Sequence, residues 1–293
     1  MKIFQASFTE EALLECNKRL LDRKPNVLIS FGILDRNFES FLVKNRDKIG
    51  MIILDCGAWT LNNSPGETHI SLNSYKSYLK SFGHLFDYYF NLDEDFEPTG
   101  FEVNIYNQKR LEDAGLKPVP VVHDLYGAEV EYYIENKYPI VAIGSKQAKN
   151  INHLSIVIGK FYKAGIKVHL FGNSSHKYLS NLPISYCDSS SWAQTGAFGN
   201  INYWNPQKKA IDKTDKIYVG EYQHSEDKRG KEFTTYEFKN ELKKYLRDNL
   251  GITYSDLLGS NGALLKQIVN LYYYMELEKI VNAKHEQRGF VTE

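Results

Sequence analysis

Eight short apolar runs, separated by amphipathic stretches of helical length, set the strongest limit on how this chain can fold. The runs are Lys2–Gln5, Val27–Phe31, Met51–Leu54, Tyr88–Leu92, Pro118–Val122, Ile140–Ile143, Lys167–Phe171 and Ile184–Cys187. Helical spacing between them is clearest over Glu10–Leu21, Asn37–Arg46, Leu72–Phe82, Phe101–Ala114 and Ile151–Ala164. Thr9 with Glu11 marks one helix start, and Gly115 and Gly165 sit just past helix ends. Strands that alternate with helices of this length predict parallel βαβ units. Eight units, complete by about Cys187, match the number that closes a (β/α)8 TIM-type barrel. An open doubly wound sheet reads the same locally; the count favours the barrel.

After Asn205 the texture changes. Residues 206–234 are polar and poor in apolar periodicity, and two helices follow, Tyr236–Leu250 closed by Gly251 and a longer one from about Gly262 to Val281. The expected organisation is a barrel over 1–205 and a C-terminal helical extension over 206–293 packed on it. The three cysteines, Cys16, Cys56 and Cys187, have neither zinc-knuckle nor redox spacing. Neither a P-loop nor a dinucleotide fingerprint occurs. No metal and no cofactor is therefore expected. The N-terminus lacks a signal-peptide pattern and no run approaches 18 apolar residues, which predicts a soluble, cytoplasmic protein with no membrane contact. Lys+Arg and Asp+Glu are 36 each, so any grip on nucleic acid must come from a local patch.

Catalytic groups of such barrels stand where strands end at their C-terminal edge. The residues there are Asp55, Asp93, His123, Gly144, Gly172 and Asp188. Each has a plainer reading: Asp188 as a helix cap, Asp93 as part of a solvated acidic loop, His123 as a structural histidine. Three carboxylates and an imidazole on one mouth are harder to explain as packing. Two carboxylates flanking a sugar–base bond suit glycosyl transfer, one attacking the anomeric carbon and the other moving protons on the base. Gly57, Ala58 and Trp59 after Asp55 offer close-approach and stacking surfaces, and Gly144 lets a flat ring lie against the chain. From Asn136 to Cys187 there is no acid but seven lysines, joined by His153, His169 and His176. That segment reads equally as a phosphate-binding face, with Lys146, Lys149, Lys177 and His176 as contacts, or as solubilising lysines.

Taken in order, these motifs resemble the tRNA-guanine transglycosylase superfamily, and most closely its short phage- and genomic-island-type branch, which places deazaguanine bases into DNA. The resemblance lies in Asp55-Cys56-Gly57-Ala58-Trp59, Asn91-Leu92-Asp93-Glu94-Asp95, His123 after its Pro-Val-Val strand, Ile143-Gly144-Ser145 and Cys187-Asp188-Ser189-Ser190-Ser191-Trp192. It implies Asp188 as covalent nucleophile and Asp55 as general acid/base. Asp93 would read the purine edge. Cys56, Gly57, Trp59, His123, Gly144 and Ser145 would complete the base pocket. The resemblance implies a nucleic-acid substrate, DNA first and tRNA second, and a free purine or 7-deazapurine; a second copy of the chain is a further candidate partner. No cysteine follows Cys187, so the zinc subdomain of the bacterial tRNA enzymes is missing, as is the length for the archaeal RNA-binding extension. Ser145 replaces the second glycine of the family's turn. The rival readings are a barrel nucleosidase or glycoside hydrolase, and a nucleic-acid-binding scaffold without chemistry.

Overall fold

In the computed structural model, which describes residues 1–20, 22–34, 37–58, 70–94, 96–220 and 230–292, each of the eight apolar runs overlaps a strand. They are β1 (Lys2–Gln5), β2 (Asn26–Ser30), β3 (Ile52–Asp55), β4 (Tyr88–Tyr89), β5 (Val121–Val122), β6 (Ile140–Ile143), β7 (Lys167–Leu170) and β8 (Tyr186–Ser189). A helix follows each in turn: α1 (Glu10–Arg19), α2 (Phe38–Asn45), α3 (Leu72–Phe82), α4 (Phe101–Glu112), α5 (Glu129–Glu135), α6 (Ile151–Lys163), α7 (His176–Leu179) and α8 (Ser191–Ala197). The start of α1 is fixed as its sequence predicts, the Thr9 hydroxyl accepting a hydrogen bond from Ala12 N.

The strands are all parallel, in the order β4-β3-β2-β1-β8-β7-β6-β5. The two ends of that order meet where Phe90 bridges Val119: Asn91 N donates to Val119 O (2.9 Å) and Val119 N to Tyr89 O (2.8 Å). The sheet curls into a TIM-type barrel with a short seam between β4 and β5. Strand alternation sends Phe4, Leu28, Ile53, Phe90, Val119, Val121 and Ala142 into one buried interior cluster. Their neighbours in sequence face the helices and join the two larger clusters between sheet and helical layer.

The extension begins earlier than the polar texture suggests. Strand β9 (Asn200–Trp204) pairs antiparallel with β10 (Thr214–Tyr218), and β11 (Lys231–Glu232) joins β10 in parallel. The expected boundary at residue 205 therefore falls inside a hairpin. Its polarity is internal: buried Asp215 accepts from Asn205 Nδ2 (3.0 Å), Tyr236 OH (2.7 Å) and Lys231 Nζ (2.9 Å). Burial alone would raise its pKa, but these donors outweigh it and hold the carboxyl at about 2.

After α9 (Lys239–Leu250) and α10 (Tyr254–Leu258) comes α11 (Gly262–Arg288), which runs beside β1 between α1 and α7. Ile3 N donates to Glu278 Oε2 (2.8 Å), and the Met1 amino group to Asn282 Oδ1 (2.6 Å). The short α8 cannot cover β8 and β1 alone, and α11 completes the outer layer. Among the described residues no helix is long and apolar enough to cross a membrane.

Candidate active site

The C-terminal ends of the strands bring together most of the residues singled out from the sequence. Asp55 is the last residue of β3, and its Oδ2 accepts from Gly57 N (3.0 Å). Gly57 has φ +86°, and a Cβ there would lie 2.7 Å from Gly32 N, so the turn that aims this amide at Asp55 requires glycine. Burial pushes the Asp55 carboxyl up to about 6; the Gly57 amide opposes this and the charge of Asp188 adds to it. Cys56 and Ala58 are buried beside it. Burial, then the charges of Asp55 and Asp93, pushes the Cys56 thiol well above its ordinary range, which suits a packing role rather than a thiolate. Trp59 lies outside the described residues.

Asp188 lies within β8 rather than after it. Both of its hydrogen bonds fall on Oδ1, from His169 Nε2 (2.9 Å) and Gly172 N (3.3 Å). It is not a helix cap: α8 begins from Ser190. His169 is fully buried inside the barrel, with its Nδ1 3.1 Å from Tyr88 OH and its ring 4.9 Å from both Phe90 and Phe171. With Asp188 ionised, one tautomer satisfies both contacts, Nε2–H donating to Asp188 and Nδ1 accepting from Tyr88. A Tyr88–His169–Asp188 chain thus runs from the barrel interior to its rim. From the sequence His169 counted toward a basic stretch. The signal for its real place is strand alternation: Val168 and Leu170 belong to the outer cluster, so the residue between them points inward.

Asp93 and His123 face each other across the seam, Asp93 Oδ2 lying 3.9 Å from His123 Nε2. Asp93 is 4% exposed, which removes it from a solvated loop. Two asparagines of α4 explain why the loop is ordered there: Asn104 Oδ1 accepts from Glu94 N (3.0 Å), and Asn107 Nδ2 donates to Leu92 O (3.0 Å). Burial drives the Asp93 carboxyl well above the ordinary carboxylate range; Asn91, donating from Nδ2 to Oδ1 (3.0 Å), opposes this, while Asp55 and Glu129 reinforce it. His123 stacks on Phe96, with ring centroids 5.2 Å apart and planes 17° apart. Its backbone N–H donates to Glu129 Oε2 (2.6 Å). Glu129 is itself buried, and burial raises it to about 7 against the amides of His123 and Asp124. Neither Phe96 nor Glu129 stood out in the sequence, because neither ends a strand.

Gly144 follows β6 at the exposed rim, where a Cβ would come within 3.5 Å of His123 Nε2. Ser145 caps the turn Lys146–Lys149 by accepting from Gln147 N (3.1 Å), so its hydroxyl has a backbone partner.

The basic residues are not one surface. Lys149 and Lys177 are exposed. Lys146 is exposed but pairs with Glu97 at 2.9 Å, which offsets its charge. His176 is 3% exposed, with its ring 5.2 Å from that of Trp204, and burial lowers its pKa. It lines a cavity of ≈ 340 Å³ between Gly172, Ser191 and Tyr274, beside Asp188 rather than on an outer phosphate-binding face.

No protein-family model matches the chain, and no curated protein matches it. Among solved structures it is similar to a cube-shaped, highly porous protein cage designed by fusing symmetric oligomeric domains, with 10% identity, a TM-score of 0.44, and coverage of 98% of this chain and 76% of that one.

Proposed function

We propose that this barrel exchanges bases on nucleic acid, replacing guanine with a 7-deazaguanine derivative through a glycosyl ester of Asp188. The reading rests above all on two rim carboxyls in unlike surroundings: Asp188, held at Oδ1 by His169 and Gly172, and Asp55, pushed up to about 6. Carboxyl groups set apart in this way can divide the nucleophilic and proton-transfer roles between them. In the first half-reaction Asp188 Oδ2 bonds to the anomeric carbon as the bond to guanine breaks, and protonated Asp55 supplies the proton the leaving base needs. In the second, the incoming base attacks that carbon, the ester opens to the free Asp188 carboxylate, and Asp55 recovers the proton from the base.

Asp93 and His123, with Phe96 stacked behind the imidazole, are positioned to take the purine edge and face. The polymer is DNA in the first instance and tRNA in the second; the motif resemblance, including the missing cysteines after Cys187, supports that order.

Incubation with labelled guanine or 7-deazaguanine and separate DNA and tRNA substrates tests the proposal. The expected result is label entering DNA with wild type, a denaturation-resistant enzyme–nucleic acid adduct, and neither with Asp188→Ala. Retained incorporation by Asp188→Ala removes the nucleophile. Base release from free nucleosides with no polymer requirement makes the protein a nucleosidase instead.

A further inference from the structure

A second cavity, of ≈ 230 Å³, lies away from the carboxyls, where the C-terminal end of α8 meets the start of α11. Glycines dominate its wall: Gly196, Gly199, Gly220, Gly259 and Gly262. Several are fixed by close contacts, a Cβ on Gly262 falling 2.3 Å from Leu257 O and one on Gly196 2.7 Å from the Gln267 side chain. The chain is thereby obliged to leave backbone uncovered here. Asn261, which precedes α11, provides no side-chain cap. Among the described residues the amides of Ala263 and Leu264 donate to no group. The positive end of a 27-residue helix is open to this cavity.

Lys266, one turn further along, supplies the independent observation. It is 9% exposed and lines the same cavity, and among the described residues its ammonium has no hydrogen-bond or ion-pair partner. Among the described residues the wall includes no carboxylate, and Lys266 is the one formal charge there. Partial desolvation of an ammonium without a counter-ion is costly, and burial accordingly lowers its pKa. A bound anion removes that cost and also accepts from the helix amides.

We infer that Lys266 and the open amides of α11 bind a phosphate group. On the reading that the barrel acts on nucleic acid, this phosphate belongs to the strand backbone rather than to a free phosphate. Twelve residues separate Gly262 from Tyr274, which lines the cavity beside Asp188, so the helix rise places the two roughly 18 Å apart along α11. That span corresponds to on the order of five backbone steps of a duplex strand. The site would anchor the strand at a distance while the target base is held at the barrel mouth.

Two measurements on intact protein test the inference. Inorganic phosphate should raise the thermal midpoint of wild type above that in chloride of equal ionic strength, and Lys266→Met should lose this rise. Ala263→Asp keeps a carboxylate where a helix start favours one but fills the site with negative charge; it too should lose the rise, which guards against a Lys266→Met protein that folds poorly. In the second measurement, the slope of log affinity against log salt for an oligonucleotide should fall by about one in Lys266→Met. Equal phosphate responses in all three proteins overturn the site. A lost phosphate response with an unchanged slope overturns the strand assignment and leaves a free-phosphate site. Wild type that exchanges no base, yet shows the phosphate response and its loss, overturns the proposed activity without touching the site.

Discussion

Asp55 and Asp188 stand in unlike surroundings, and the roles proposed for them each predict a measurable trace. The folded value for Asp55, about 6, lies above the ordinary 3.8, so the folded protein holds this proton more tightly than the unfolded chain. The stabilising contribution is fully present below pH 3.8 and is lost as pH rises through about 6. The gap corresponds to on the order of 3 kcal/mol. Asp55→Asn, which keeps the shape and stays neutral, is expected to be about 1–3 kcal/mol more stable than wild type at pH 8 and nearly equal to it at pH 4. Urea unfolding at the two pH values checks this, and an equal effect at both would put Asp55 in water. For Asp188 the partner to change is His169. Acting only through the proposed nucleophile, it is expected to alter kcat more than KM: His169→Gln should lower kcat about 10- to 100-fold, and Tyr88→Phe, which removes only the far bond, by less. A His169→Gln enzyme with raised KM and normal kcat would make the histidine a packing residue. The carboxyls were legible because they stand at or just past the C-terminal ends of strands. The chain behind Asp188 was not, since a count of basic residues ignores which side of a strand each one faces.

At the scale of elements, α11 shows how much a correct helix assignment can leave out. Its apolar spacing was readable from Gly262 to Val281, but its place in the outer layer depends on Met1, Ile3 and Trp192, far away in sequence. Asn270 is the joint. Fully buried, it donates from Nδ2 to Trp192 O (3.2 Å) and Asn200 O (3.1 Å), and its Oδ1 accepts from Asn202 N (2.7 Å). It therefore ties α8, β9 and α11 together. Asn270→Ala leaves three buried backbone groups without partners and is expected to cost about 3–5 kcal/mol, read as a lower urea midpoint. A loss below about 1 kcal/mol would mean that the joint relaxes or admits water. The same buried polarity hid β9 and β10: strands carrying Asn200, Asn202 and Asp215 on inward positions do not show the apolar alternation by which strands are recognised.

For the whole molecule, the eightfold alternation was enough to give a barrel, while the way its ends join could not be read from any one segment. The pairing of β4 with β5 depends on Phe90 and Val119, whose contact is nonlocal and brief. The two residues proposed to hold the base stand on opposite sides of that join, Asp93 after β4 and His123 after β5. A purine engaging both would act as a clasp on a ring otherwise fastened there by two backbone hydrogen bonds. Hydrogen exchange at Asn91 and Val119 should be faster than at Phe4 or Leu54 in the free protein and should slow when guanine is added, with Asp93→Asn losing the slowing. Exchange unaffected by the base would mean that the ring is already shut. If it does slow, the ligand completes the architecture that recognises it, and an empty barrel is a slightly looser vessel than a loaded one.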